Sequence, residues 1–211
     1  MNIVLFGKPG AGKGTQAPKI AESLDVPTLA TGNVLRAAVR EGTPMSRQAK
    51  AFMDRGDLVP DDVILGIVRD ELAKPAYANG VVLDGVVRTV PQAEGLAEVL
   101  KSLGRKVDAV VSLQVPDEEI VRRMASRTVC STCQTPYSDR KPNAKCDNCG
   151  GTVVRRSDDE PEAVRNRLKV FESQTAPVFD WYRRNGTRLL VVDANGAVKD
   201  VTQRVLHALG R

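Results

Sequence analysis

Two groups of residues in this chain have types and spacings that could do chemistry. The first is Gly7-Lys-Pro-Gly-Ala-Gly-Lys-Gly-Thr15, which follows the apolar run Asn2–Phe6 and contains Gly-x4-Gly-Lys, with Gly14-Thr15 where the common pattern has Ser or Thr at once. Glycines let main-chain N–H groups turn inward around a phosphate, and a helix starting at the loop adds partial positive charge. Lys13 is placed to reach β and γ phosphates, and the Thr15 hydroxyl is a candidate neighbour of magnesium. A bare glycine-rich turn is the competing explanation. The coincidence of strand, loop, lysine and helix start argues for a nucleotide, without separating a kinase from a switch or motor NTPase.

The second group is Cys130-x2-Cys133 and Cys146-x2-Cys149, separated by twelve residues. Each pair can form a tight turn that aims two thiolates at one tetrahedral ion about 2.3 Å away. Redox dithiols, disulfides and iron–sulfur ligation are the competitors. The paired spacing, in a stretch rich in turn residues, favours structural zinc with no open coordination position.

These groups need elements to position them. Alternating apolar strands and helical segments are expected: Asn2–Phe6, a helix over Lys13–Leu24, strands at Val81–Asp84 and Ala109–Val115, and helices near Pro91–Leu103 and Asp117–Ser126. A strand at Arg188–Asp193 and a closing helix at Val198–Leu209 follow. The pattern is that of an α/β fold, a central parallel sheet with helices on both faces. Two stretches break the rhythm. Residues 31–59 read as helices punctuated by Gly32, Gly42 and Gly56, and 130–151 as short strands and tight turns. Residues 161–184 then resume as helix.

Composition excludes several classes. A 211-residue chain with 42% hydrophobic and 27% charged residues is of ordinary globular type. It contains no apolar run of about 18 residues and no secretory leader, so cytoplasmic residence without a membrane partner is expected. The net charge of +5 suits an anionic partner. A zinc ribbon with basic charge could grip nucleic acid, but aromatics make up only 4%, too few for an interleaved basic and aromatic stripe. The one histidine, His207, is expected on the surface or in packing.

Further stretches now line up. Gly7–Gln16 resembles the phosphate loop of the adenylate kinase family. In order, Thr31-Gly-Asn-Val-Leu-Arg36, Gly56-Asp-Leu-Val-Pro-Asp61, Asp84-Gly-Val-Val-Arg-Thr-Val-Pro-Gln92, Arg156-Ser-Asp-Asp159 and Arg165-Asn-Arg167 resemble its other motifs. The cysteines resemble the zinc-containing lids of some bacterial members. The resemblance spans essentially the whole chain. It implies a P-loop three-layer core (residues 1–30, 60–126 and 160–211), a helical AMP-binding insert (31–59) and a zinc-binding lid (127–159). It also implies a monomer that converts ATP and AMP to two ADP with magnesium. A kinase for UMP, CMP or GMP is the nearest alternative.

The resemblance also implies residue roles. Lys13, Arg88, Arg127, Arg156 and Arg167 would stabilise the transferring phosphoryl group. ATP would be held by Gly10, Ala11, Gly12, Lys13, Gly14, Thr15, Arg123, Arg127, Tyr137 and Gly196, with Arg123 against the adenine. AMP would meet Thr31, Gly32, Arg36, Val59, Gly85, Arg88, Gln92, Arg156 and Arg167. Magnesium would sit at Thr15 and Asp84, directly or through water. Asp158 and Asp159 would make lid-closing contacts, and Tyr137-Ser138 would approach the ATP ribose. Two departures stand out. Val86-Val87 replaces Phe-Pro, and Asn33 replaces Asp, so a trans, reshaped loop and weaker or less selective AMP binding are expected.

Overall fold

The structure, a computed structural model, describes residues 1–41, 44–138 and 140–211. Gly42, expected to punctuate the first insert, lies outside the described residues.

The five residues of β1 (Asn2–Phe6) are all buried, as a strand covered on both faces requires. It pairs in parallel with β3 (Val81–Asp84) on one side and β4 (Ala109–Gln114) on the other. Outside these lie β2 (Thr28–Ala30) and β8 (Arg188–Asp193), giving the order β2-β3-β1-β4-β8. Alternation along the strands sorts the core into two layers. Ile3, Leu5, Val82 and Val111 face α1 (Lys13–Leu24) and α9 (Val198–Leu209). Val4, Phe6, Leu83 and Val110 face α4 (Asp61–Leu72), α5 (Val90–Ser102) and α8 (Ala176–Arg184). The chain leaves β1 toward β3 and later crosses to β4, so the crevice for ligands lies beyond the carboxyl ends of these strands. The register Leu5↔Asp84↔Ala30 brings the phosphate loop, Asp84 and the start of the insert to that edge.

The insert consists of α2 (Thr31–Glu41) and α3 (Pro44–Arg55). After α6 (Asp117–Ser126), a small antiparallel sheet forms from β5 (Thr128–Cys130), β6 (Pro136–Tyr137) and β7 (Val153–Val154), in the order β6-β5-β7. Its buried heart is Cys130, Cys146 and Val153, too little apolar surface to hold a fold unaided.

The expected single helix over 161–184 is instead α7 (Pro161–Val170), a π-turn at Phe171–Thr175, and α8. Pro177 explains the break. It has no N–H to give to the ladder and its ring crowds the preceding turn, so a wider turn absorbs the mismatch.

Candidate active site

The phosphate loop turns through left-handed backbone at Gly10 and Gly12, with φ of +87° and +96°. A Cβ on Gly10 would stand 2.9 Å from Met124 Cγ, so α6 closes directly on the loop. Lys13 Nζ donates to the carbonyls of Gly7 (2.6 Å) and Lys8 (3.0 Å), folding the lysine over its own loop. Burial pushes its pKa down to about 8; Asp84 opposes the shift, while Arg88, Arg167 and Arg127 add to it. A Cβ on Gly14 would lie 3.3 Å from Asp84 Oδ2, which places that carboxylate against the helix start. Thr15 lines the same cleft. A hydroxyl and a carboxylate beside a phosphate cradle form a donor set that suits magnesium, a hard ion that keeps several waters.

Arginines from five segments converge on this point. Arg127 forms a two-pronged pair with Asp159, its Nε donating to Oδ2 at 2.7 Å. Burial opposes its charge, but the Asp159 hydrogen bond and the fields of Asp159, Asp158 and Asp84 raise its pKa. Arg167 Nη1 donates to the Asp158 carbonyl (3.0 Å), Asp158 Oδ2 (3.1 Å) and Asp159 Oδ1 (3.2 Å). Burial holds the pKa of Arg36, Arg88 and Arg167 below the ordinary guanidinium value. Arg156 is the extreme case. Burial, then Arg36 and Arg127, push it down, and among the described residues its buried Nε has no hydrogen-bond partner. A desolvated guanidinium beside like charges is a site built for an anion.

The far wall is held by main-chain braces. Thr31 Oγ1 donates to the Gly85 carbonyl at 2.9 Å. Arg88 N donates to Gln92 Oε1 at 2.8 Å, and Gln92 Nε2 donates to Asp61 Oδ1 at 2.7 Å. The Arg88 carbonyl accepts from Thr175 Oγ1 at 2.8 Å, and its Nε donates to the Gly85 carbonyl at 3.1 Å.

One cleft of about 990 Å³, at the upper end for small-molecule sites, gathers these groups. Every residue named above for ATP, AMP or magnesium lines it. Some placements differ in detail from expectation. Gln92 reaches the cleft, but its amide is already engaged with Arg88 and Asp61. The Tyr137 hydroxyl lies 3.2 Å from Cys146 Sγ and accepts from Asp147 N, so only its ring and main chain are left for a ribose. Arg123 donates to Glu119 and to the Ala194 carbonyl, which joins α6 to the loop carrying Gly196. Arg165, Arg183, Arg184 and His207 are exposed.

The four cysteines form a separate cluster with all Sγ atoms within 4.8 Å of one another. Cys130 and Cys149 Sγ are 3.5 Å apart, and Cys133 and Cys146 Sγ 3.6 Å. Thr132 N and Cys133 N point at Cys130 Sγ, as in a metal knuckle. These separations are close to the edges of a tetrahedron of sulfurs about 2.3 Å from a central ion, so the cluster could hold a metal.

The family model for adenylate kinase matches residues 5–187. A curated adenylate kinase of Gemmatimonas aurantiaca is 56% identical over 99% of both chains. One from Methanothrix thermoacetophila is 48% identical over 93% of this chain and 92% of its own. A third, from Streptomyces griseus, is 46% identical over 99% and 97%. The chain belongs to the adenylate kinase family.

Within this kinase, the departures at Asn33 and Val86-Val87 have concrete consequences. Asn33 Oδ1 accepts from Arg36 Nη2 at 2.6 Å, so the guanidinium is steered by a neutral oxygen. Val86, at 2% exposed, belongs to the core and does not line the cleft, while Val87 does. The described residues contain no cis peptide bond, as expected for the trans loop.

Thr175 is a positioning residue that the motifs did not signal. The only hint was Pro177, which forces the π-turn that aims its hydroxyl at Arg88. Thr175→Val keeps the shape but leaves a buried carbonyl unpaired, at a cost of roughly 1–3 kcal/mol. Turnover is expected to fall about tenfold and the unfolding midpoint to drop by a few degrees, and Thr175→Ser to restore most of both. Wild-type turnover in the valine variant would contradict the role.

Proposed function

We propose that this adenylate kinase aligns ATP and AMP head to head in the 990 Å³ cleft. The carrying observation is the buried Nε of Arg156, which has no partner among the described residues, in a guanidinium that burial, Arg36 and Arg127 all disfavour. ATP phosphates rest on the Gly10–Thr15 loop, with Lys13 turning from its loop carbonyls to the β and γ phosphates. The ATP base lies by Arg123 and Gly196, and Tyr137 borders its ribose. AMP enters under residues 31–59, its base among Thr31, Gly32, Val59, Gly85 and the free N–H of Gln92. Its phosphate meets Arg36, Arg88, Arg156 and Arg167.

An AMP phosphate oxygen attacks the γ phosphorus, the bond to the β–γ bridging oxygen breaks, and two ADP result. That oxygen is already anionic, so no general base is required. Lys13, Arg88, Arg127, Arg156 and Arg167 act by stabilising negative charge that spreads over the transferring group. Thr15 and Asp84 would hold the magnesium that accompanies ATP, directly or through water, and it would supply positive charge that offsets that of the phosphates. Residues 127–159 act as a lid that excludes water, over a core of residues 1–30, 60–126 and 160–211.

We assign structural zinc to Cys130, Cys133, Cys146 and Cys149. Four thiolates suit a closed tetrahedral site, and the lid has almost no other core. Reduced ligand thiols fit a cytoplasmic location. Among the described residues no helix is long and apolar enough to cross a membrane. A monomer suffices for this proposal, since the residues assigned to both nucleotides come from one chain, and aromatics at 4% are few for gripping nucleic acid.

Two measurements test these assignments. Purified protein given ATP with AMP, UMP, CMP or GMP in turn is expected to form diphosphate fastest with AMP, and Arg88→Ala to lose about a thousandfold or more in turnover. Near-normal turnover would remove Arg88 from the catalytic set; preference for another monophosphate would change the substrate. Metal analysis is expected to find about one zinc per chain, with removal raising the KM for ATP while the core stays folded. A different metal, or an indifferent KM, would contradict the lid assignment.

A further inference from the structure

Gln134, just after the first Cys-x2-Cys, holds a left-handed backbone with φ of +61°. That region costs a residue with a Cβ about 1–2 kcal/mol, so something must hold it there. Its side chain supplies the ties. Nε2 donates to the carbonyls of Cys130 (3.2 Å) and Ser131 (3.3 Å), and Oε1 accepts from Arg36 Nε at 2.8 Å. Carbonyls at one end and a guanidinium at the other fix the amide's orientation. The Arg36 bond spans the cleft from the lid to α2, and it exists only when the lid lies over the insert.

The chemistry of the acceptor matters. Among the described residues Arg36 donates its side-chain hydrogen bonds to two amide oxygens, those of Asn33 and Gln134. Neutral oxygens orient a guanidinium without cancelling its charge, whereas a carboxylate would compete with a phosphate for it. We propose that Gln134 is a positioning residue, a neutral latch through which the closed lid aligns Arg36 for the monophosphate, so that filling the ATP side tightens binding on the AMP side. This rests on the placement of AMP proposed above. The coupling is reciprocal, since each ligand favours the arrangement the other needs.

AMP affinity measured by calorimetry, with and without the β,γ-methylene analogue of ATP, tests it. Wild-type protein is expected to bind AMP more tightly with the analogue. In Gln134→Asn, which tolerates the backbone but is too short to reach Arg36, that enhancement is expected to fall about fivefold or more. AMP affinity without the analogue should stay within about twofold. Gln134→Gly, suited to the same backbone, should match it and guards against misfolding of the first variant. Gln134→Glu should weaken AMP in the presence of the analogue, by competition for Arg36. An unchanged enhancement in the Asn and Gly variants, an equal loss in both conditions, or no enhancement in the wild type would overturn the latch. Arg36→Ala separates the two readings, because unchanged AMP affinity there strikes the proposed AMP site itself.

Discussion

Like charges gathered where water is scarce are the constraint on which the rest of this structure depends. Lys13, Arg36, Arg88, Arg127, Arg156 and Arg167 line one cleft, with Asp84 and Asp158 on its wall and Asp159 beside them. Two unit charges about 6 Å apart still repel by roughly 3 kcal/mol at an effective dielectric near 20. The fold must therefore hold these cations against their own repulsion until phosphates arrive. Burial first, and then the neighbouring cations, depress the pKa values of Lys13, Arg36, Arg88, Arg156 and Arg167.

The restraint comes mostly from main chain and neutral groups. Lys13 is parked on two carbonyls of its own loop. Arg88 is clamped at its N–H by Gln92 and at its carbonyl by Thr175, with Asp61 behind Gln92. Of these six cations, only Arg127 and Arg167 are tied to carboxylates among the described residues, and those are Asp158 and Asp159. This division leaves most of the positive charge uncancelled and free to meet an anion. It also explains why elements remote from the chemistry matter: the π-turn before α8 exists because Pro177 interrupts a helix, and its yield is the Thr175 hydroxyl.

Much of this was legible in the sequence. The bounds of β1, α1, β3, α6, β8 and α9 follow from apolar runs between glycines and caps, an imprint strongest in β1 and β3, which burial on both faces makes almost continuously apolar. The three-residue β2 and helix α4 went unannounced. A three-residue strand carries no period, and α4 follows the insert without a break in character. The cleft residues were found through ordered motifs, and the cysteine cluster through spacing alone. Gln134, Thr175 and the core placement of Val86 were not legible, since each depends on which segments the tertiary fold brings together.

Proton uptake on nucleotide binding tests the electrostatic claim most directly. Free protein holds Lys13 near a pKa of about 8, below its ordinary value, so most of the population is neutral above that pH. Phosphates favour the charged lysine and raise its pKa, so binding must draw protons from solution in the window above about 8 and not well below it. Calorimetry of magnesium–ATP binding in buffers of different ionisation enthalpy, at pH 9 and at pH 6.5, reads this directly. The account predicts a net proton taken up by the lysine at pH 9 that is lost at pH 6.5. Equal proton exchange at both pH values would contradict it, and with it the picture of cations held in tension for a phosphate.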